Sequence, residues 1–293
     1  MTQTLRAQDR RSDVGRRLVG GVLAALAGVA VVAVWWFFVT TPTGQHVDEV
    51  AYVGSRIGRG RLAEHAQNVL DVVSVPLLVL VIIVTTVVAA VRRKWLLAVG
   101  VGAMVGAMNL TTQLVKYQVF TRPELGVGDS FDGNSLPSGH TTVAGSVAAA
   151  VLLVTPPRWR WVAALAGAGY TGLTGVATMI NGWHRASDVV AAVLVVAAWA
   201  LLAQALVVPS DAAGPIAPVT RILGLVGAGA AVVAGLSLVA TRWADPDPSR
   251  VERLLAYGGA SVGVLAVVCL ATAALLAVGT RTARRRPRSA PPM

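Results

Sequence analysis

The sequence predicts an all-α fold, a polytopic membrane bundle of about eight transmembrane helices. Three observations carry that prediction. Hydrophobic residues fill 55% of the 293 positions and charged residues only 13%, with a mean hydropathy of +0.66. A soluble domain carries roughly 25% charged residues, so a disordered chain and an ordinary soluble enzyme are both poor fits. The apolar residues also fall in runs close to the roughly 20 that cross a bilayer. Finally, the basic residues gather at alternate ends of those runs.

The expected spans, in order, are Leu18–Thr40, Val69–Val91, Trp95–Val115, His140–Val154, Trp161–Ile180, Asp188–Val208, Ile222–Thr241 and Tyr257–Gly279. The first, at 23 residues, exceeds the 7–15 of a secretory signal core, and no small-x-small cleavage pattern follows it. It reads as a retained helix. The fourth is short and is expected to begin inside the preceding loop. Gly224, Gly227, Gly229 and Gly235 are expected to let the seventh helix pack closely. The first 16 and last dozen residues are expected to be disordered. Pro209, Pro215 and Pro218 fall in a predicted inner loop, and Pro246 and Pro248 in an outer one. Cys269 is the only cysteine and sits in an apolar run, so it reads as a core residue.

The formal net charge of +11 would point to nucleic acid on a soluble domain. Its placement argues otherwise. With the N-terminus inside, 16 of the 25 Lys and Arg flank inner span ends, whereas 11 of the 14 acidic residues lie outside. The positive-inside bias therefore puts both termini in the cytoplasm. The basic C-terminal run from Arg281 to Arg288 reads as a topology signal, and no nucleic-acid partner is expected. The chain then divides into a basic N-terminal tail (1–17), a core (18–208), an added helix pair (209–279) and a basic C-terminal tail (280–293).

Two outer segments hold an unusual set of polar residues. One runs from Lys116 through Arg122-Pro123 to Pro137-Ser138-Gly139-His140, and the other is Asn181-Gly182-Trp183-His184-Arg185-Ala186-Ser187-Asp188. Two spans separate His140 from His184, so both histidines return to the same face. His184 and Asp188 are spaced i, i+4 and share a helix face. A carboxylate on one imidazole nitrogen selects a tautomer and leaves the other nitrogen a better nucleophile or base. His140 follows Ser138 and Gly139 at a helix N-terminus, where free N–H groups favour an anion. Lys116 and Arg122 suit phosphate oxygens. Together these groups predict a phosphoryl-transfer site that needs no metal or other cofactor, because the cations neutralise charge. Asn109, Gln113 and Lys116 share one helix stripe, lining a path to the site or bonding neighbouring helices. Trp35, Trp36, Trp95, Trp161 and Trp183 read as an interfacial belt, with Trp183 also a candidate for substrate contact. His46 and His65 are given no role. The acidic loop with Glu124, Asp129 and Asp132 lies between the motifs.

This set of residues resembles the type 2 phosphatidic acid phosphatase superfamily, whose pattern is Lys-x6-Arg-Pro, Pro-Ser-Gly-His and Ser-Arg-x5-His-x3-Asp. The second part stands complete as Pro137–His140. The first is one residue short, as Lys116-x5-Arg122-Pro123, and the third has Ala177-Thr178 in place of Ser-Arg. The resemblance spans about residues 69–208 and implies a six-helix phosphatase-like core. It further implies that His184 attacks phosphorus with Asp188 behind it, and that His140 serves the leaving oxygen. Lys116, Arg122, Ser138 and the Gly139 N–H would hold the phosphoryl group. Arg185 is a candidate to replace the missing arginine; the alternative is that it meets only headgroups. The function this implies is a lipid-phosphate phosphatase at the outer leaflet of the cell membrane. Its substrate would be a polyprenyl pyrophosphate, phosphatidic acid or phosphatidylglycerol phosphate. A phosphotransferase with the same site, and a non-catalytic lipid-binding or translocating protein, remain alternatives.

Overall fold

The computed structural model describes residues 2–73, 75–91, 93–127, 133–207, 216–244 and 247–279. The basic C-terminal tail from residue 280 lies outside the described residues. So do Asp129 and Asp132 of the acidic loop, and Pro209, Pro215 and Pro246. Among the described residues the secondary structure is helical throughout, and the fold is an all-α polytopic bundle.

Ten α-helices follow in order: α1 (Thr2–Thr40), α2 (Pro42–Ser55), α3 (Arg59–Val72), α4 (Val75–Val91), α5 (Trp95–Leu114), α6 (Gly139–Val154), α7 (Arg160–Ile180), α8 (Ala186–Leu206), α9 (Ala217–Arg242) and α10 (Arg250–Gly279). Six stretches are long and apolar enough to cross a membrane: Asp13–Thr40, Trp95–Val119, Pro157–Ile180, Ala186–Leu206, Ala217–Arg242 and Arg250–Gly279. Apolar stretches at Leu78–Val88 and Gly139–Val154 are shorter.

Three local differences from the sequence expectation have clear causes. The expected span Val69–Val91 is divided, its first residues belonging to α3 and the rest to α4. Pro76 explains the break, since proline has no N–H to give a continuing helix but fits a first turn. The N-terminal segment is helical from Thr2 rather than disordered. Its Leu, Arg, Ala and Gln are good helix formers, and the apolar span supplies the nucleus they extend. Of the four α9 glycines, only Gly227 faces a neighbour: its Cβ would meet Leu270 at 2.8 Å, and nothing lies within 4 Å of the other three.

The largest core cluster joins α5, α6, α8 and α10 around Met108, Val105, Ala150, Ala200, Leu201 and Leu276. Helix α1 lies along α8, and α10 packs on α9, α8 and α2. Between helices, Thr112 and Thr142 share a hydroxyl bond of 2.9 Å. Asn109 Nδ2 donates to Ser146 Oγ at 3.3 Å, so Asn109 ties α5 to α6.

Helix α2 positions the site, and it falls outside every expected span. Thr41 caps it by accepting the Gly44 N–H at 3.0 Å while donating to Phe37 O at 2.6 Å, and Pro42 occupies the first turn. A Cβ on Gly44 would lie 1.9 Å from Phe37 O, so only glycine lets α2 fold back this tightly onto the end of α1.

Candidate active site

The starts of α6 and α8 meet at one end of the bundle. Ser138 caps α6: its Oγ accepts the Thr141 N–H at 3.3 Å and the Thr141 hydroxyl at 3.1 Å. Its backbone N–H donates to Asp188 O at 2.9 Å, joining the second and third sequence motifs directly. Ser138 is fully buried, so its side chain shapes the α6 start rather than facing open space. At Gly139 the position of a Cβ has nothing within 4 Å, leaving room for a ligand to approach the backbone.

His184 and Asp188 pair as the i, i+4 spacing predicts. His184 Nδ1 lies 3.0 Å from Asp188 Oδ2, and both residues are buried. The same Oδ2 accepts the Arg185 N–H at 3.0 Å, and the Ser135 hydroxyl also bonds the carboxylate. Asp188 thus caps α8 and orients the imidazole with one group. His140 stands across the site with its ring 5.1 Å from that of Trp183, and it is near enough to His184 and Lys116 to feel their charge.

Lys116 lies in a π-helical turn, Val115–Val119, that ends α5 and is closed by Phe120 N–H on Val115 O at 2.8 Å. Such turns re-aim a side chain at the end of a helix. Asn134 ties this turn to the segment before Pro137, donating to Lys116 O at 3.1 Å and Leu136 O at 2.9 Å. Arg122 is half-buried in the following loop. Burial draws its guanidinium below the ordinary arginine value, and the charge of nearby Arg185 acts the same way. Trp35 does not face lipid alone: it stacks on Phe120 at 4.6 Å and donates to Thr121 O at 3.2 Å, bracing that loop.

Arg185 is 2% exposed, which rules out a role confined to surface headgroups. Its Nη2 lies 3.5 Å from Glu49 Oε2, and its guanidinium is 5.9 Å from the Tyr52 ring centre. Thr178, where the family pattern has arginine, is fully buried and bonds its own helix through Gly175 O at 2.7 Å.

Helix α2 carries the residues that sequence reasoning missed. Gln45 Nε2 donates to Pro123 O at 3.0 Å and so holds the Arg122-Pro123 segment. Asp48 accepts the Ser187 N–H at 3.3 Å and the Ser187 hydroxyl. Tyr52 donates to Gly182 O at 3.1 Å. Burial, reinforced by the Asp188 charge, pushes the Asp48 carboxyl up to about 6. From α3, Arg59 donates to Ile180 O at 2.7 Å and to Ser55 Oγ at 3.0 Å, clasping the turn before His184. Gly182 in that turn has φ +71°, and a Cβ there would lie 2.5 Å from Arg59 Nη2. The signal for α2 was present in the sequence: Gln45, Asp48, Glu49 and Tyr52 recur at i, i+3, i+4, i+7, the spacing of one helix face.

A histidine–aspartate pair, a second histidine and flanking cations thus gather at one end of the all-α bundle. The family model of the PAP2 superfamily matches residues 106–211, consistent with a type 2 phosphatidic acid phosphatase superfamily member. All three motifs, from Lys116 to Asp188, fall within that match. No curated protein and no solved structure matches the chain.

Proposed function

We propose that the chain is a membrane phosphatase that hydrolyses lipid phosphate or diphosphate esters at the outer leaflet. The observation that carries this reading is the His184 Nδ1–Asp188 Oδ2 contact, locked to the Pro137–His140 turn through Ser138. With Nδ1–H held by the carboxylate, the Nε2 lone pair is free to attack phosphorus. The Nε2–P bond forms as the P–O bond to the lipid breaks, and His140 gives the leaving oxygen its proton. Water then attacks phosphorus, passes a proton to His140, and the P–N bond breaks to release phosphate. Lys116, Arg122 and the Gly139 N–H hold the phosphoryl oxygens. Ser138 supports them by fixing the α6 start, and Arg185 stands in for the motif arginine beside Arg122. A lipid is favoured over a soluble ester because these groups lie at or next to the ends of apolar helices, where a headgroup would sit.

Purified protein assayed with phosphatidic acid, phosphatidylglycerol phosphate, a polyprenyl pyrophosphate and p-nitrophenyl phosphate is expected to release phosphate, with a lipid preferred over the soluble ester. No release from any of the four would overturn the reading for these substrate types. Transfer to an added alcohol in place of release would instead make the chain a phosphotransferase. The orientation is tested separately with Glu124→Cys in a Cys269→Ser background. The thiol is expected to react with an impermeant maleimide on intact cells, and labelling only after lysis would place the site inside.

A further inference from the structure

Asp48 is a buried carboxylate that the phosphoryl-transfer chemistry leaves unused, and it comes from a helix outside the matched segment. It grips the first turn of α8 through both the N–H and the hydroxyl of Ser187, the residue next to Asp188. Two carboxylates therefore converge on one helix N-terminus, where the dipole favours negative charge. Asp188 bonds His184, and Asp48 reaches the same turn of α8 from α2. A cavity of about 110 Å³ opens against Asp48 and Ser187, walled by α8, α9 and α10. A single water needs about 10–15 Å³, so the space beside the carboxyl is large enough to hold water, with Ser187, Ser237 and Thr241 as its other polar side chains.

We propose that Asp48 is a positioning residue for the His184–Asp188 pair, holding the α8 start through Ser187 and setting a second negative charge at the helix turn that carries the Asp188 carboxylate. The proposal rests on the reading of His184 as nucleophile. When Nε2 bonds phosphorus the imidazole becomes cationic, and a negative Asp48 stabilises it together with Asp188. Proton uptake by Asp48 removes that contribution. The charged groups facing Asp48 are Asp188 and Arg185 on α8, Arg122 from the loop after α5, and neighbouring Glu49. From α9, the polar side chains at the cavity are Ser237 and Thr241, neither of which titrates.

Asp48→Asn is expected to lower kcat by about tenfold, the worth of one pKa unit of coupling, with KM little changed because the phosphate-holding cations are intact. The acid limb of the wild-type rate profile should include a step near pH 6, the range to which Asp48 is shifted, and the variant should lack it. A variant with lower thermal stability but an unchanged profile would overturn the proposal and leave Asp48 a purely structural residue. A second readout does not depend on turnover. In ¹⁵N-histidine spectra of the protein in detergent at pH 8, assigned with His184→Gln, the His184 ring nitrogens should move between wild type and Asp48→Asn, while those of His46 and His65 should not. Unmoved His184 nitrogens would overturn the proposal even if phosphate is released, and a shift at His184 without one at His46 and His65 would uphold the coupling even if none is.

Discussion

His184→Ala is expected to lower phosphate release by at least about a thousandfold, because it removes the atom proposed to form the covalent intermediate. The His184 ring is buried and held on Nδ1 by Asp188, so water or a neighbouring side chain does not take its place. His140→Ala should behave differently. A general acid contributes roughly 10²–10⁴ when the leaving oxygen is a poor leaving group. A nitrophenolate leaves without help, so His140→Ala should retain more activity on p-nitrophenyl phosphate than on a lipid ester, whereas His184→Ala should lose both. Release that survives in His184→Ala would overturn the nucleophile assignment. Equal losses on both substrates in His140→Ala would overturn the acid assignment.

Arg185→Ala carries the second large effect, and it divides into two parts. Arg185 and Glu49 form a pair whose side chains are 1% and 11% exposed. Removing one member of a buried pair costs about 3–5 kcal/mol, because the other charge stays in place less well compensated. A clear drop in the melting temperature in detergent is therefore expected. On the proposed function the second part is catalytic, since Arg185 stands beside Arg122 and would supply the arginine that the third motif lacks. The double variant Arg185→Ala/Glu49→Gln separates the two. It should recover most of the stability, because no lone charge remains, yet keep a raised KM. Recovery of KM along with stability would show that Arg185 only balances Glu49 and takes no part in holding phosphate.

The apolar runs of α1, α5, α7, α8, α9 and α10 were legible because a membrane helix must be apolar along its whole length. The His184–Asp188 pair was legible for a related reason: four residues along one helix fix a geometry without any knowledge of the rest of the fold. Contacts between segments far apart in the chain were not. Nothing local to Pro123 announces that Gln45 holds its carbonyl, and nothing near Arg185 announces Glu49, 136 residues away. Helix α2 escaped notice because its face is polar. Among outer loops such a face reads as solvent contact, whereas here it turns inward onto other polar groups. The Val69–Val91 run misled in the opposite sense, since its hydropathy continues through the point at which Pro76 lets one helix end and another begin.

The tight return at Gly44 brings α2 across the bundle end, where one short helix touches the Arg122-Pro123 loop, the Gly182 turn and the start of α8. The segment that matches the family model begins at residue 106 and holds both histidines, Asp188 and the motif cations. A chain trimmed to that segment would keep the proposed reacting atoms and lose the α2 and α3 contacts that brace them. Arg185 would no longer have Glu49, and the turn ahead of His184 would be without Tyr52 and Arg59. A chain that begins at residue 106 is therefore expected to lose activity that one beginning before α2 keeps, a difference read by the same phosphate-release assay.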